Sequence, residues 1–381
     1  MHHIVVLGAG YAGLTTALRL DRRASRKVTL INATPDFTQR IRLHELIAGR
    51  PGVTVPIAEL TRGTGIETVV ARVTGIDLDA RTVRTADGRA ISYDTLVYAL
   101  GSRTDVSAPG VAEHAYTVER AAELRERLRA GAGDLAVVGG GLTGIELATE
   151  LAEAYPSWRV KLVAGGELAR GVSAGGRAHV ARVLDRLGVE TVRHSRVTAV
   201  HEGGLTTENG EIAADVVIWA GSFVVPGLAA EAGLAVDARG RALVDETMRS
   251  VSRPDVYVVG DAAAVDIRGA ESRMSCAAAM PIAAHAADSI NARLAGREPK
   301  PFRFRYVLQC VSLGRHDALV QFVNEDDSPH DRFVSGRSGA LIKEGICRFT
   351  VAGLRMSRRY PAAYAWLKGS RHAPARTLQT T

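Results

Sequence analysis

His3-Ile-Val-Val-Leu-Gly-Ala-Gly-Tyr-Ala-Gly13, running into Leu14-Thr-Thr-Ala-Leu-Arg-Leu20, is the stretch that decides the fold. A short apolar run of strand type meets Gly8-x-Gly10-x-x-Gly13 and passes at once into a helical pattern. Gly8 permits a tight turn, Gly10 lets the backbone approach a pyrophosphate, and Gly13 lets the helix pack close to the strand. The free N–H groups at the start of that helix, with its partial positive charge, then face the phosphates. Lys27–Ile31 reads as the next strand, which completes a strand–turn–helix–strand unit. An acidic residue is expected where that second strand ends, to bind a ribose. The chain has Asn32 there, an uncharged residue still able to hydrogen-bond a hydroxyl.

The same grammar returns. Leu135–Val138 meets Gly139-x-Gly141-x-x-Gly144, a helix follows over Ile145–Ala154, and Arg159–Val163 is the next strand. Two copies make an internal repeat of dinucleotide-binding units. The second copy ends its strand on Val163-Ala164-Gly165-Gly166, again with no carboxylate, although Glu167 is near enough to reach a ribose and Arg170 a 2′-phosphate. NADH and NADPH both stay open, with a lean to NADH. Glu146, just past the second loop, has two even readings. It is a first-turn carboxylate favoured by the helix dipole, or a group beside the reacting ends of the cofactors.

Between the loops, Thr68–Ile76, Thr82–Thr85 and Ile91–Ser92 read as small antiparallel strands, with a turn at Asp87-Gly88. Asp94–Ser102 reads as a buried strand ending in a glycine turn, and Asp215–Gly221 repeats it in the second unit. Pro254–Asp261 is a further buried strand, followed by a helix over Ala277–Leu294. The stretch from Pro301 to Gly353 mixes strand and loop signals, and Tyr360–Trp366 reads as a short aromatic helix before a frayed end. The fold class expected is α/β, with two Rossmann-like three-layer ββα domains and a small C-terminal α+β region. The boundaries expected are 1–110 and 241–300 for the two parts of the first domain, 111–240 for the second, and 301–381 for the C-terminal region.

The formal charge of +7 is local, since residues 345–381 carry seven Lys or Arg and no Asp or Glu. With the rest of the chain neutral on balance, no basic, aromatic-rich nucleic-acid module is visible. Leu354, Met356, Tyr360, Tyr364, Trp366 and Leu367 interleave with Arg355, Arg358, Arg359 and Lys368, a composition suited to an anionic lipid surface. The competing and favoured reading is a solvated tail that packs an aromatic side against the body. Three scattered cysteines, Cys276, Cys310 and Cys347, make neither a disulfide framework nor a zinc cluster, and no metal site is expected. No signal peptide and no apolar run long enough to span a bilayer are visible, so the expectation is a cytoplasmic protein, at most peripheral at a membrane.

Gly8–Gly13, Asp94–Ser102, Gly139–Glu146 and Tyr257-Val-Val-Gly-Asp-Ala262, in that order, resemble the motif set of the two-dinucleotide-binding-domain flavoproteins. These form the pyridine nucleotide-disulfide oxidoreductase superfamily, and the chain is most similar to its type II NADH dehydrogenase and sulfide:quinone reductase branch. The resemblance covers about residues 1–300. It implies FAD at the first loop, on Gly8, Ala9, Gly10, Tyr11, Ala12 and Gly13 with Asn32, Ala99 and Gly101, and NAD(P)H at Gly139, Gly141 and Gly144. Gly260 and Asp261 would hold the ribityl or pyrophosphate part, and Glu146 is the candidate catalytic residue. Arg40, Arg42 and His44 match a segment that crosses the FAD site in relatives. Solvated arginines and a packed or surface histidine are the competing readings there.

The resemblance has departures. The redox Cys pair of the disulfide reductases is absent. Cys276 and Cys310 lie where the fold could join them, although buried spectator thiols are the expectation. Quinone-reducing relatives carry glutamines after the Gly-Asp motif, where this chain has Ser275-Cys-Ala-Ala-Ala-Met-Pro-Ile282. The function expected is an FAD-dependent NAD(P)H dehydrogenase with a quinone or quinoid small-molecule acceptor. A tailoring oxidoreductase on a small aromatic metabolite, a ferredoxin-type reductase and a non-enzymatic flavin redox sensor stay open. A homodimer is common among relatives.

Overall fold

The computed structural model describes residues 1–20 and 26–369. Arg371 and Arg376 of the basic tail lie outside them. The chain begins with β1 (His2–Leu7), α1 (Tyr11–Leu20) and β2 (Arg26–Asn32). A short helix α2 (Leu43–Ile47) precedes β3 (Ile66–Val70), an antiparallel trio β4 (Val73–Asp77), β5 (Thr82–Thr85) and β6 (Ala90–Ser92), and then β7 (Thr95–Tyr98). The second unit runs β8 (Ala115–Tyr116), β9 (Gly133–Val138), α3 (Leu142–Ala154), β10 (Trp158–Val163), α4 (Ala174–Arg186) and β11 (Glu190–Val192). Its own antiparallel trio follows as β12 (Val197–His201), β13 (Gly204–Thr207) and β14 (Gly210–Ala213), and then β15 (Val216–Trp219). The chain ends with β16 (Val256–Val258), α5 (Cys276–Arg293), strands β17 (Leu308–Ser312), β18 (Ala318–Val323) and β19 (Pro329–Ser335), and helix α6 (Gly336–Arg359).

The two large sheets repeat each other. One has the order β16-β7-β1-β2-β3 and the other β8-β15-β9-β10-β11, and every pairing in both is parallel. Their central strands are apolar without alternation because both faces are covered. All four residues of β7 and of β15 are buried, as are the last four of β1 and β9. Helices α1 and α5 pack together through small residues, among them Ala12, Ala17, Ala279, Ala283 and Ala287, and Thr16 donates to the Ala283 carbonyl at 3.2 Å. The α/β class with two Rossmann-like units is therefore what the chain forms.

Three local expectations are corrected. Thr68–Ile76 is not one strand. It divides at Ala71-Arg72, so that β3 joins the parallel sheet beside β2 while β4 pairs antiparallel with β5. Residues 336–359 form one helix of 24 residues rather than loop. Its buried residues Gly339, Lys343, Cys347, Thr350, Val351, Leu354 and Ser357 recur at helical spacing. Gly339, Gly345 and Gly353 dilute its intrinsic preference, and packing on the β17–β19 sheet overrides them.

Tyr360–Trp366, the third, is not helical. Tyr364 and Trp366 lie against the first core, where the Trp366 indole donates to the Arg303 carbonyl at 2.9 Å and Arg19 donates to the Tyr364 carbonyl at 3.0 Å. Tyr364 and Trp366 thus fold onto the body, while Tyr360 is exposed. Large apolar side chains are also exposed along α6, where Leu341 is 75% exposed, Phe349 61% and Met356 42%.

Candidate active site

Both glycine loops have the same steric plan. Gly8 has φ +95°, and a Cβ there would come 2.5 Å from the Ala99 carbonyl oxygen. A Cβ on Gly13 would run into the Gly8 carbonyl, while Gly10 faces nothing within 4 Å. In the second loop Gly139 (φ +133°) stands 2.5 Å by the same measure from the Ala220 carbonyl oxygen, Gly144 closes on the Gly139 carbonyl, and Gly141 faces open space. The outer glycines are thus required by close packing, and the middle one leaves an open cradle before the helix. That shape fits a pyrophosphate at both loops.

The first cradle has a second wall. Gly260, at φ +71°, approaches Ala12, and Gly101 (φ +65°) opens beside β7. Ser102 donates to Asp261 at 2.6 Å. Burial pushes the Asp261 carboxyl up, with the Ser102 hydrogen bond and the charge of Arg40 opposing. Tyr11 is buried, its ring edge-on to Phe37 at 5.0 Å between centroids. Asn32 backs the loop, because its side-chain oxygen accepts from the Ala9 N–H at 2.9 Å and its amide donates to the Thr34 carbonyl at 2.8 Å.

Arg40, Arg42 and His44 part company. Arg40 pairs with Glu119 at 3.1 Å and lies near enough for its charge to act on the Asp261 carboxyl. Arg42 turns inward, donating to both oxygens of Glu45 at 2.9 Å and to Glu344 of α6 at 2.8 Å. His44 is buried with its Nδ1 3.8 Å from Glu146 and its Nε2 without a hydrogen-bond partner. Burial holds the imidazole below its ordinary pKa, so it is neutral at pH 7.

Glu146 is the centre of a buried cluster drawn from four segments. It stands in the second turn of α3, so the reading of a first-turn, dipole-favoured carboxylate does not hold. Its carboxylate is paired with Lys343 of α6 and accepts the Ser312 N–H from the end of β17 at 3.0 Å. Burial alone would raise the Glu146 carboxyl. Lys343, then His44 and the Ser312 N–H, outweigh it and hold the group below the usual range. Lys343 is likewise desolvated, yet Glu146 and the nearby thiols keep its pKa above the usual value. Both directions describe a charged pair. All three cysteines are free; burial pushes Cys276 up to about 12 and Cys347 up to about 11, so neither is a thiolate near neutrality. A cavity of about 290 Å³ opens beside this cluster, with Glu45, Ser312, Arg315, Lys343, Glu344 and Cys347 in its wall.

A family model described as pyridine nucleotide-disulphide oxidoreductase matches residues 2–284. The chain belongs to that family. It is an FAD-dependent oxidoreductase that uses NAD(P)H. An NADH dehydrogenase-like protein of Mycobacterium tuberculosis is 31% identical over 355 residues, spanning 84% of this chain and 87% of that protein. A type II NADH:quinone oxidoreductase of Staphylococcus epidermidis is 28% identical over 384 residues, spanning 90% and 93%. Among solved structures, the sulfide:quinone oxidoreductase of Aquifex aeolicus has a TM-score of 0.82 at 21% identity, covering 95% of this chain and 93% of that one. The Plasmodium falciparum NDH2 in complex with NADH has 0.80 at 15%, covering 94% and 97%. These two likenesses show the fold.

Lys343, Ser312 and Ser102 went unnoticed as site residues in the sequence. Lys343 had a signal. It lies one helical turn before Cys347 and in phase with Val351 and Leu354, so a helix there buries it.

Proposed function

We propose that this flavoprotein oxidises NAD(P)H and hands two electrons to a quinone or quinoid small molecule, with Glu146 and Lys343 supplying the charge and the proton that the acceptor needs. The observation that carries the reading is the buried Glu146–Lys343 pair, whose lysine stands in the wall of the cavity. Bound FAD supplies the two-electron relay, and the residues around it supply position and electrostatics. Gly10 and Gly141 leave room for the two pyrophosphates. Asp261, fixed by Ser102, offers a carboxyl to the sugar-like part of the first. Lys343 faces the cavity with a full charge held by Glu146, so it can stabilise negative charge developing on a ring oxygen and pass a proton to it. The cavity is sized for a ring rather than for a protein domain.

The outward face of α6 supports delivery of an apolar acceptor. Leu341, Ile342, Phe349 and Met356 are exposed there along one stripe, with Arg348, Arg355 and Arg359 on its flank. That is the composition of a helix lying in an anionic lipid interface. Among the described residues no helix is long and apolar enough to cross a membrane.

Anaerobic stopped-flow tests the reading. Either nucleotide should bleach the flavin, and a short-chain quinone should reoxidise it faster than oxygen or a ferredoxin. Glu146→Gln should slow the quinone half-reaction by about 100-fold or more, the scale of positioned acid–base assistance, while leaving flavin retention intact. Quinone reoxidation no faster than that by oxygen would overturn the proposal, and a ferredoxin as the fastest oxidant would move it to a protein acceptor. For the surface, Leu341→Asp/Phe349→Asp should abolish sedimentation with anionic vesicles; unchanged binding removes the lipid contact.

A further inference from the structure

The turn after β10 bears on which nucleotide the second site takes, a question that rests on the proposed hydride donor. In a Rossmann unit this turn meets the adenine-side ribose. A carboxylate there binds the hydroxyls of NAD, and a nearby arginine accommodates the 2′-phosphate of NADP. Here the strand runs into Ala164, buried against the glycine loop. A Cβ on Gly140 would come 2.8 Å from that of Ala164, and the Ala169 N–H donates to the Gly140 carbonyl at 2.9 Å. The 164–170 segment is thus seated directly on the pyrophosphate cradle.

At Gly166 the Arg170 guanidinium occupies the space that a side chain would fill, whereas a Cβ at 165 would make only ordinary contact with Arg196, 3.4 Å away. Arg193, following β11, adds a second guanidinium to the rim. The carboxylate nearest the turn is already engaged. Glu167 is bonded to His194 at 2.9 Å and lies 3.5 Å from Arg193, and the His194 bond, with the charge of Arg193, holds it below its ordinary pKa. Arg196 lies 3.5 Å from Glu208. Arg170 has no carboxylate within ion-pair distance among the described residues. An arginine with no carboxylate of its own, folded over a side-chain-free turn against the cradle, is the donor set of a phosphate.

We infer that the second site is built for a 2′-phosphorylated nicotinamide nucleotide, with Arg170 as its specificity-determining residue and Arg193 and Arg196 adding positive field. The test uses the flavin-loaded full chain and titration calorimetry with adenosine 2′,5′-bisphosphate and with 5′-ADP. The bisphosphate should bind at least 10-fold more tightly, with an advantage that shrinks as salt rises. Arg170→Ala should weaken the bisphosphate by about 10- to 100-fold, the range of a charge-assisted hydrogen bond, and leave 5′-ADP unchanged. Arg170→Lys should recover part of the loss. Equal binding of the two ligands, or loss of both in Arg170→Ala, overturns the inference. Anaerobic bleaching separates it from the wider reading. Faster bleaching by NADH than by NADPH sinks the 2′-phosphate site alone, whereas no bleaching by either sinks the dehydrogenase as well.

Discussion

Lys343→Met isolates the Glu146 cluster, because methionine keeps most of the volume and removes the charge. Glu146 is then left buried with the Ser312 N–H at 3.0 Å and a neutral His44 at 3.8 Å. Breaking a buried pair from one side costs about 3–5 kcal/mol. Both partners are nearly inaccessible, so little of this is lost to screening by solvent. Protonation of Glu146 offers a partial escape. Burial, the largest influence on this carboxyl, is no longer opposed by Lys343, so its folded pKa moves from below the unfolded value to above it.

The pH dependence therefore changes shape. In the parent protein the Glu146 contribution is present above the unfolded carboxyl pKa and is lost only as pH falls through the depressed folded value. The Lys343 contribution is present below the unfolded lysine pKa and is lost only as pH rises through the elevated one. The pair thus adds no slope near neutrality. In the variant the raised carboxyl makes stability fall as pH rises above the unfolded carboxyl pKa and through the elevated folded one. Urea unfolding at saturating FAD, followed by flavin fluorescence and far-ultraviolet circular dichroism, should show both the loss and the new slope. Adding Glu146→Gln should restore most of the stability, because a fully neutral cluster has no unpaired charge. A loss under about 0.5 kcal/mol, or a double variant no better than the single one, would refute the reasoning.

Gly13→Ala should abolish flavin retention, since its Cβ meets the Gly8 carbonyl, while Gly144→Ala should keep the yellow colour and lose reduction by nucleotide; loss of flavin in both would break the assignment of one loop to each cofactor. Ser102→Ala removes the 2.6 Å bond to a largely buried carboxyl, and flavin affinity should fall by about 10-fold, the effect of about 1.5 kcal/mol; an unchanged dissociation constant would show that Asp261 needs no positioning. Cys276 and Cys347, with thiols pushed up to about 12 and about 11, should resist iodoacetamide in the native protein at pH 7.5 and react only after unfolding; mass spectrometry showing rapid native alkylation of Cys276 contradicts this.

The two dinucleotide units were legible because their requirements are local. A β-branched run, three glycines at fixed spacing and a helix lie within about 20 residues, and the last glycine of each loop answers to a carbonyl of the first. Gly8 and Gly139 do face carbonyls from distant strands, Ala99 and Ala220, yet it is the absence of a side chain at each glycine that the sequence shows. The Glu146 cluster is the opposite case. Glu146, Lys343, His44 and Ser312 are brought together by packing among α2, α3, β17 and α6, and no spacing encodes it. Arg42 shows the same limit. Its type suits a pyrophosphate, but Glu344, some 300 residues away, determines where it points.

The same helix joins the two halves of the proposed chemistry. One face of α6 buries Lys343 against Glu146, and the opposite face exposes Leu341, Phe349 and Met356. An acceptor drawn from a lipid surface would then meet the element that also holds the proton donor, within the width of one helix, about 10 Å. Arg42 and Arg355 fix that helix to the first unit through Glu344 and Glu59 at 2.8 and 2.9 Å, so its two faces keep their relation to the cradle. Cutting one tether tests this coupling. Glu59→Gln leaves the Glu146 cluster and the outward stripe chemically intact, and it removes only an exposed ion pair worth about 0.5 kcal/mol. It should leave flavin reduction and unfolding nearly unchanged. Double removal with Glu344→Gln frees Arg42 from α6 as well, and it should slow quinone reoxidation in vesicles more than in detergent-free buffer. Equal effects in both media would show that the two faces act independently.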